Sequence, residues 1–116
     1  MNLLEKEILG CILKDNSLIN ETNISVNHFQ SESSKLLYQS MLVLASQGKA
    51  IDQVALMAEN YDYIQDLGGV SFITDLKTVG DVNHFETYER QFIEQYKERE
   101  SRNIIANWLS QKDADV

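Results

Sequence analysis

The sequence HFETYERQFIEQYKERESRNIIANWLSQ, residues 84–111, contains no glycine and no proline. It predicts one long C-terminal helix, about 40 Å from end to end. Asn83 precedes it and Glu86 follows three residues later, which is the spacing of a capping box at a helix start. An aromatic stripe runs along one face of this helix, because the aromatic residues recur at intervals of three and four. Its members are Phe85, Tyr88, Phe92 and Tyr96.

A second apolar group follows on roughly the opposite face of the same helix. At 100° per residue the aromatic stripe continues into Arg99 and Asn103 and so becomes polar. The second group consists of Ile104, Ile105, Trp108 and Leu109. A helix with two differently directed apolar faces is expected to contact other protein surfaces. For the aromatic stripe a core role against the preceding helix remains the alternative, although that helix is only about 15 Å long.

The composition favours a single all-α domain. The 116 residues include no proline and five glycines, and 43 % of them are hydrophobic, which is enough for one core. Amphipathic spacing predicts helices at residues 3–14, 32–47, 52–60 and 70–79. The helix at 32–47 is apolar over much of its circumference, so it is expected to form the buried centre of the domain.

The predicted architecture is a small globular helical head followed by an antiparallel helical hairpin with a long C-terminal helix. Residues 1–80 would comprise the head and the first hairpin helix, and residues 81–111 the long hairpin helix. Residues 112–116 would begin a linker. The glycine and turn residues at 80–83 indicate the connection between the two hairpin helices.

Charge and hydropathy argue against nucleic-acid binding and against membrane insertion. A net charge of −8 and a pI near 4.6 make direct binding to nucleic acid unfavourable. No apolar run is long enough to span a membrane and no basic segment precedes a signal-like stretch, so a cytoplasmic protein is expected. Cys11 is the single cysteine, and its place on an apolar helix face predicts a buried, inert thiol.

The sequence offers no catalytic, cofactor or metal site. Gly48-Lys49 lacks the rest of a phosphate-binding loop, and a helix C-cap explains Gly48 better. The two histidines, His28 and His84, have no metal-ligand spacing with each other or with Cys11. A small enzyme is therefore the weakest of the functional hypotheses.

Several stretches resemble the N-terminal domain of the bacterial and phage replicative hexameric DNA helicases of the DnaB type. Residues 5–15, EKEILGCILKD, resemble the family pattern E-x-x-[VL]-L-G-x-[LI]-L-x-D. Residues 37–52, LYQSMLVLASQGKAID, resemble [IL]-[YF]-x-x-M-x-x-L followed by G-x-x-I-D, and residues 67–76, LGGVSFITDL, resemble L-G-G-x-x-Y-L-x-x-L. Ser34 and Ala55 depart from the family, which more often has His and Thr there.

The resemblance implies a non-catalytic collar domain that pairs through its hairpins into a trimer of dimers. It also implies docking of the C-terminal domain of primase and of a helicase loader, with ATP and Mg²⁺ bound only by an ATPase domain that these residues do not contain. The side chains expected at the subunit interface are Phe72, Ile73, Leu76, Tyr88, Phe92 and Tyr96. The patch of Ile104, Ile105, Trp108 and Leu109 falls where the family begins its linker. The alternative is a stand-alone helical adaptor that mimics the collar and binds primase or the loader.

Overall fold

The computed structural model describes residues 1–114, with side chains described through Gln111. Residues 1–114 contain helices and no strand, which confirms the all-α class and the long C-terminal helix. Two short 3-10 turns, Val26–His28 and Val82–His84, interrupt the connections. The helices are α1 (Leu3–Lys14), α2 (Leu18–Glu21), α3 (Glu32–Ser46), α4 (Gln53–Glu59), α5 (Tyr61–Leu67), α6 (Val70–Val79) and α7 (Phe85–Ala114).

Helix α1 is the centre of the head. The Asn2 side chain accepts a hydrogen bond from the Glu5 amide at 2.9 Å and so caps the start of the helix. Every residue from Ile8 to Leu13 is buried, and α1 contacts α2, α3, α6 and α7. The prediction that helix 32–47 forms the centre is wrong, because α3 leaves Leu42 and Val43 exposed to solvent. Apolar content around a helix therefore overestimated its burial.

A glycine pair brings α1 and the end of α6 into backbone contact. A Cβ atom at Gly10 would lie 2.9 Å from the Gly80 amide nitrogen and closer still to the Leu76 carbonyl oxygen. A Cβ atom at Gly80 would in turn meet the backbone of Gly10 and Cys11. Only glycine leaves room for this approach, since ordinary side chains would separate the two backbones.

The buried Glu5 carboxylate fixes the N-terminus of α1 to that of α3. Its Oε1 atom accepts from the Gln30 amide at 3.2 Å, and its Oε2 atom accepts from the Ser31 hydroxyl at 2.8 Å. The Ser34 hydroxyl also donates to Oε2. A carboxylate that is only 1 % exposed needs such donors, because an unsatisfied buried charge would be strongly destabilising.

The structure corrects how the two predicted hairpin helices are held. No Cα atom of α6 lies within 8 Å of a Cα atom of α7, and both helices pack against α1 instead. The short connection suggested that α6 and α7 would be direct neighbours, whereas the Gly10–Gly80 approach holds α6 on α1. Asp81 rather than Asn83 supplies the cap at the turn before α7, by accepting from the Asn83 amide at 3.2 Å.

Helix α7 extends well beyond the head. Phe85 and Phe92 lie in the core, whereas every residue from Glu100 to Gln111 is exposed. The molecule is accordingly elongated, with extents of 56 × 32 × 25 Å. The helix continues through Ala114, so it passes the predicted boundary at residue 111 and includes the start of the predicted linker. Residues 115 and 116 lie outside the described part of the chain.

Candidate partner-docking surfaces

The first candidate surface is the apolar patch near the end of α7, formed by Ile104, Ile105, Trp108 and Leu109. Their exposed fractions are 66 %, 58 %, 57 % and 49 %. With 100° between successive residues, these side chains point away from the face that carries Tyr88 and Phe92. They are contiguous on one helix side, and contiguous exposed apolar side chains mark interaction sites more often than scattered ones do.

The packed half of α7 holds the segment that leads into α3. The ring of Phe29 lies 4.8 Å from that of Phe92, centroid to centroid, and 5.0 Å from that of Tyr38. Further along α7, the ring of Tyr96 meets His28 edge-on at 4.7 Å. These contacts fix the direction in which α7 leaves the head.

The six predicted interface residues divide into two groups. Ile73, Leu76 and Phe92 are at most 2 % exposed and pack inside the chain itself, so they present no surface to a second copy. Their burial supports a core role for these three, because α6 packs on α1 and Phe92 packs against Phe29. Phe72, Tyr88 and Tyr96 are half-buried and keep part of their surface accessible.

The second candidate surface is a groove between α1 and α7 with a volume of about 500 Å³. The α1 side contributes Leu3, Leu4 and Glu7, and the α7 side contributes Tyr88, Gln91 and Gln95. Loss of hydration raises the pKa of Tyr88, and the negative charges of Glu7 and Asp81 raise it further. Glu7 therefore places a negative charge on the wall of the groove, and Asp81 places another near Tyr88.

Sequence reasoning missed this groove, although Leu3 gave a signal. In the sequence, Leu4, Ile8, Cys11 and Ile12 recur at helical spacing and form one apolar stripe on α1, and Leu3 lies beside that stripe. An apolar residue outside the core stripe of a helix indicates a second contact surface. Here Leu3 is 68 % exposed and borders the groove.

The described residues offer neither an accessible thiol nor a metal-binding cluster. Cys11 is buried, and burial raises the pKa of its thiol to about 11, which leaves it unreactive at neutral pH. The residues whose positions are described include no group of three or more His, Cys, Asp or Glu that could hold a metal ion. None of the described helices is both long and apolar enough to cross a membrane.

Arg99 fastens α7 to the turn that contains His28. Its Nη2 atom donates to the His28 carbonyl oxygen at 2.9 Å, and its guanidinium lies 5.9 Å from the Tyr96 ring centroid. Partial burial lowers the pKa of His28 below 6.5, and the positive charges of Arg99 and Lys97 lower it further. The Ser25 amide donates to His28 Nδ1 at 2.9 Å, which requires that nitrogen to be unprotonated.

Replacing Arg99 with alanine should lower the free energy of unfolding by about 1–2 kcal/mol, because a charge-assisted hydrogen bond is lost. It should also raise the pKa of His28, which NMR titration of the ring would measure. In the unmodified chain a depressed His28 pKa means that the unfolded state takes up this proton first. Stability should therefore fall as the pH drops through 6.5.

Arg102→Ala is the matched control for Arg99→Ala, since Arg102 is exposed on the same helix. It should change the unfolding free energy by less than about 0.5 kcal/mol and leave the His28 titration unchanged. Equal effects of the two substitutions would show that Arg99 holds nothing in place.

Comparison with known proteins gives concordant matches. Residues 2–94 match the family described as DnaB-like helicase N terminal domain. The replicative DNA helicase DnaC of Bacillus subtilis (strain 168) is 32 % identical over 76 residues, which are 62 % of this chain and 17 % of that helicase. A solved structure of a DnaB-like replicative helicase, described together with its interactions with primase, superimposes with a TM-score of 0.85 at 22 % identity. The match covers 98 % of this chain and 28 % of that one.

Proposed function

Because this chain belongs to the DnaB-like helicase N-terminal domain family, we propose that it is a non-catalytic oligomerisation and partner-docking domain of a replicative DNA helicase. The chain spans less than a third of either helicase that it matches. We assign ATP and Mg²⁺ to the part of such a helicase that lies outside this domain. The domain's own task is to bring copies together and to offer surfaces to other replication proteins.

The observation that carries this proposal is the apolar patch on the projecting end of α7. The patch lies beyond Glu94, where the family match ends, and beyond Arg99, the last half-buried residue among the described side chains of α7. Its four side chains are about half to two-thirds exposed, so their burial requires a further surface. A second copy offers the same patch, and two identical patches can meet about a two-fold axis.

Pairing through this patch alone would be weak. The exposed segment from residue 100 to residue 111 is about 18 Å long. A contact of that length buries less than the roughly 800 Å² per partner of a standard stable interface. Dimers of the isolated chain should therefore form only at high concentration, and the pairing should gain strength when several domains are held in one ring.

Analytical ultracentrifugation over a wide concentration range tests the pairing. The unmodified chain should gain mass with concentration, and the double variant Ile105→Asp with Leu109→Asp should remain a monomer, because burying a charge in an apolar contact is unfavourable. Val54→Asp is the matched control, since Val54 is 74 % exposed on α4 and away from the patch. A strict monomer at the highest concentration, or pairing that survives the double variant, would refute the role of the patch.

For docking we propose the C-terminal domain of primase as the first partner and a helicase loader as the second. Support comes from the family, and the related helicase of solved structure is described with its interactions with primase. Isothermal titration calorimetry with an isolated primase C-terminal domain tests this directly. Absence of heat at high concentration of both proteins would argue against primase as a partner of this domain.

A further inference from the structure

We propose that the groove between α1 and α7 binds a basic amphipathic segment of a partner protein. A lysine or arginine of that segment pairs with Glu7, and an aliphatic side chain packs against Leu3 and Tyr88. This inference rests on the proposed docking function and names the chemistry of the docked segment. It does not depend on pairing through the apolar patch of α7.

The contrast between two carboxylates on α1 points to a cationic ligand. Glu5 is satisfied on both oxygens by donors from the segment before α3 and from α3 itself. Two residues later, the Oε2 atom of Glu7 is buried and has no hydrogen-bond donor among the described residues. A buried acceptor without a donor is unfavourable by about 1–3 kcal/mol. Glu7 is only half-buried as a residue, so a ligand donor that meets its carboxylate as the side chain turns into the groove would recover part of that energy.

The surrounding charges favour a cation over an anion. The residues that line the groove include Glu7 and no lysine or arginine within the described chain. Asp81, in the turn before α7, adds a second negative charge near Tyr88, and His84 Nδ1 lies 2.7 Å from its carboxylate. With a net charge of −8 over the whole chain, a phosphate-rich ligand would be repelled.

The shape of the groove favours a polypeptide. Its walls are two helices, and the α7 wall from Tyr88 to Gln95 is about 10 Å long, which matches two turns of a docked helix. Leu3 and Tyr88 supply apolar contact, and the side-chain amides of Gln91 and Gln95 can donate and accept hydrogen bonds. Amphipathic helices commonly dock into grooves that combine such groups.

A peptide titration followed by NMR tests the inference. The probe is an amidated, alanine-based helical peptide that carries leucine and arginine four residues apart, and the control peptide has glutamate in place of arginine. The arginine peptide should shift the amide signals of Leu3, Glu7 and Gln91, and the glutamate peptide should not. Glu7→Gln keeps the shape and removes the charge, so it should weaken binding about tenfold, as expected for loss of one charge-assisted pair.

Glu94→Gln is the matched control, because Glu94 is an exposed carboxylate on α7 outside the groove. It should leave the affinity unchanged. No binding of the arginine peptide, equal weakening by the two substitutions, or signal shifts confined to residues 104–109 would each overturn the inference. The ultracentrifugation result for the apolar patch is unaffected by any of these outcomes, so the two proposals fail separately.

Discussion

The Gly10→Ala variant should lose about 3 kcal/mol of unfolding free energy, near the upper end of what overpacking costs. The added methyl group would overlap the Leu76 carbonyl oxygen and would lie 2.9 Å from the Gly80 amide nitrogen. Both neighbours are backbone atoms, so neither can move without shifting α6 away from α1. Helix propensity alone predicts the opposite sign, because alanine in a helix interior is about 1 kcal/mol better than glycine.

Urea denaturation followed by circular dichroism measures this loss, and Gly48→Ala is its matched control. Gly48 has a φ of +69°, and nothing lies within 4 Å of an added Cβ atom. Gly48→Ala should therefore lower the free energy of unfolding by only about 1–2 kcal/mol, which is the cost of a left-handed backbone for a residue with a Cβ atom. A Gly10→Ala chain that is as stable as the unmodified chain would show that α1 and α6 are not in backbone contact.

The Phe92→Ala variant should lose about 3–5 kcal/mol of unfolding free energy, which is the usual range for truncating a buried aromatic side chain. Phe92 is 1 % exposed and packs against Phe29, so its removal leaves a cavity between α7 and the segment before α3. Thermal melting followed by circular dichroism measures this loss. If the variant is largely unfolded at 25 °C, Phe92→Leu should give a smaller loss that the same method can measure.

Ile93→Ala is the neighbouring control for Phe92→Ala. Ile93 is only half-buried, so its truncation should lower the free energy of unfolding less. The two variants also separate a core role from an interface role. A core residue changes melting at every protein concentration, whereas an interface residue changes chiefly the dependence of mass on concentration. Unchanged melting together with lost association would show that Phe92 is an interface residue.

The individual helices could be predicted from the sequence because their ends depend on local chemistry. The bounds of α1 and α6 agree with their predicted ranges, 3–14 and 70–79. Asn2 and Asp52 cap their helices through bonds to amides three residues away, which residue spacing reveals directly. The position of α1 at the centre was not predictable in this way, because it depends on contacts between residues far apart in the chain.

The same distinction separates the two candidate surfaces. The apolar patch was visible in the sequence, because Ile104 to Leu109 break the periodicity of the aromatic stripe within one helix. The groove was not visible in the sequence, because Glu7 and Tyr88 come close only in the folded chain. Helix α6 packs on one side of α1, and α7 then packs on another side of α1. Gly10 and Gly80 control that packing, and no local pattern distinguishes a glycine needed for close approach from one that only ends a helix.

The head holds α7 along its first half, so a small rotation of the helix at its last contact with the head would move its exposed half. Its last described contact with the head is that of Tyr96 and Arg99 with His28, and the side chains from residue 100 to residue 111 are exposed. A tilt of about 5° at that contact would displace Gln111, about 18 Å away, by about 1.6 Å. Under the proposed pairing, a ligand that binds between α1 and α7 and tilts α7 would therefore shift the surface at which copies meet.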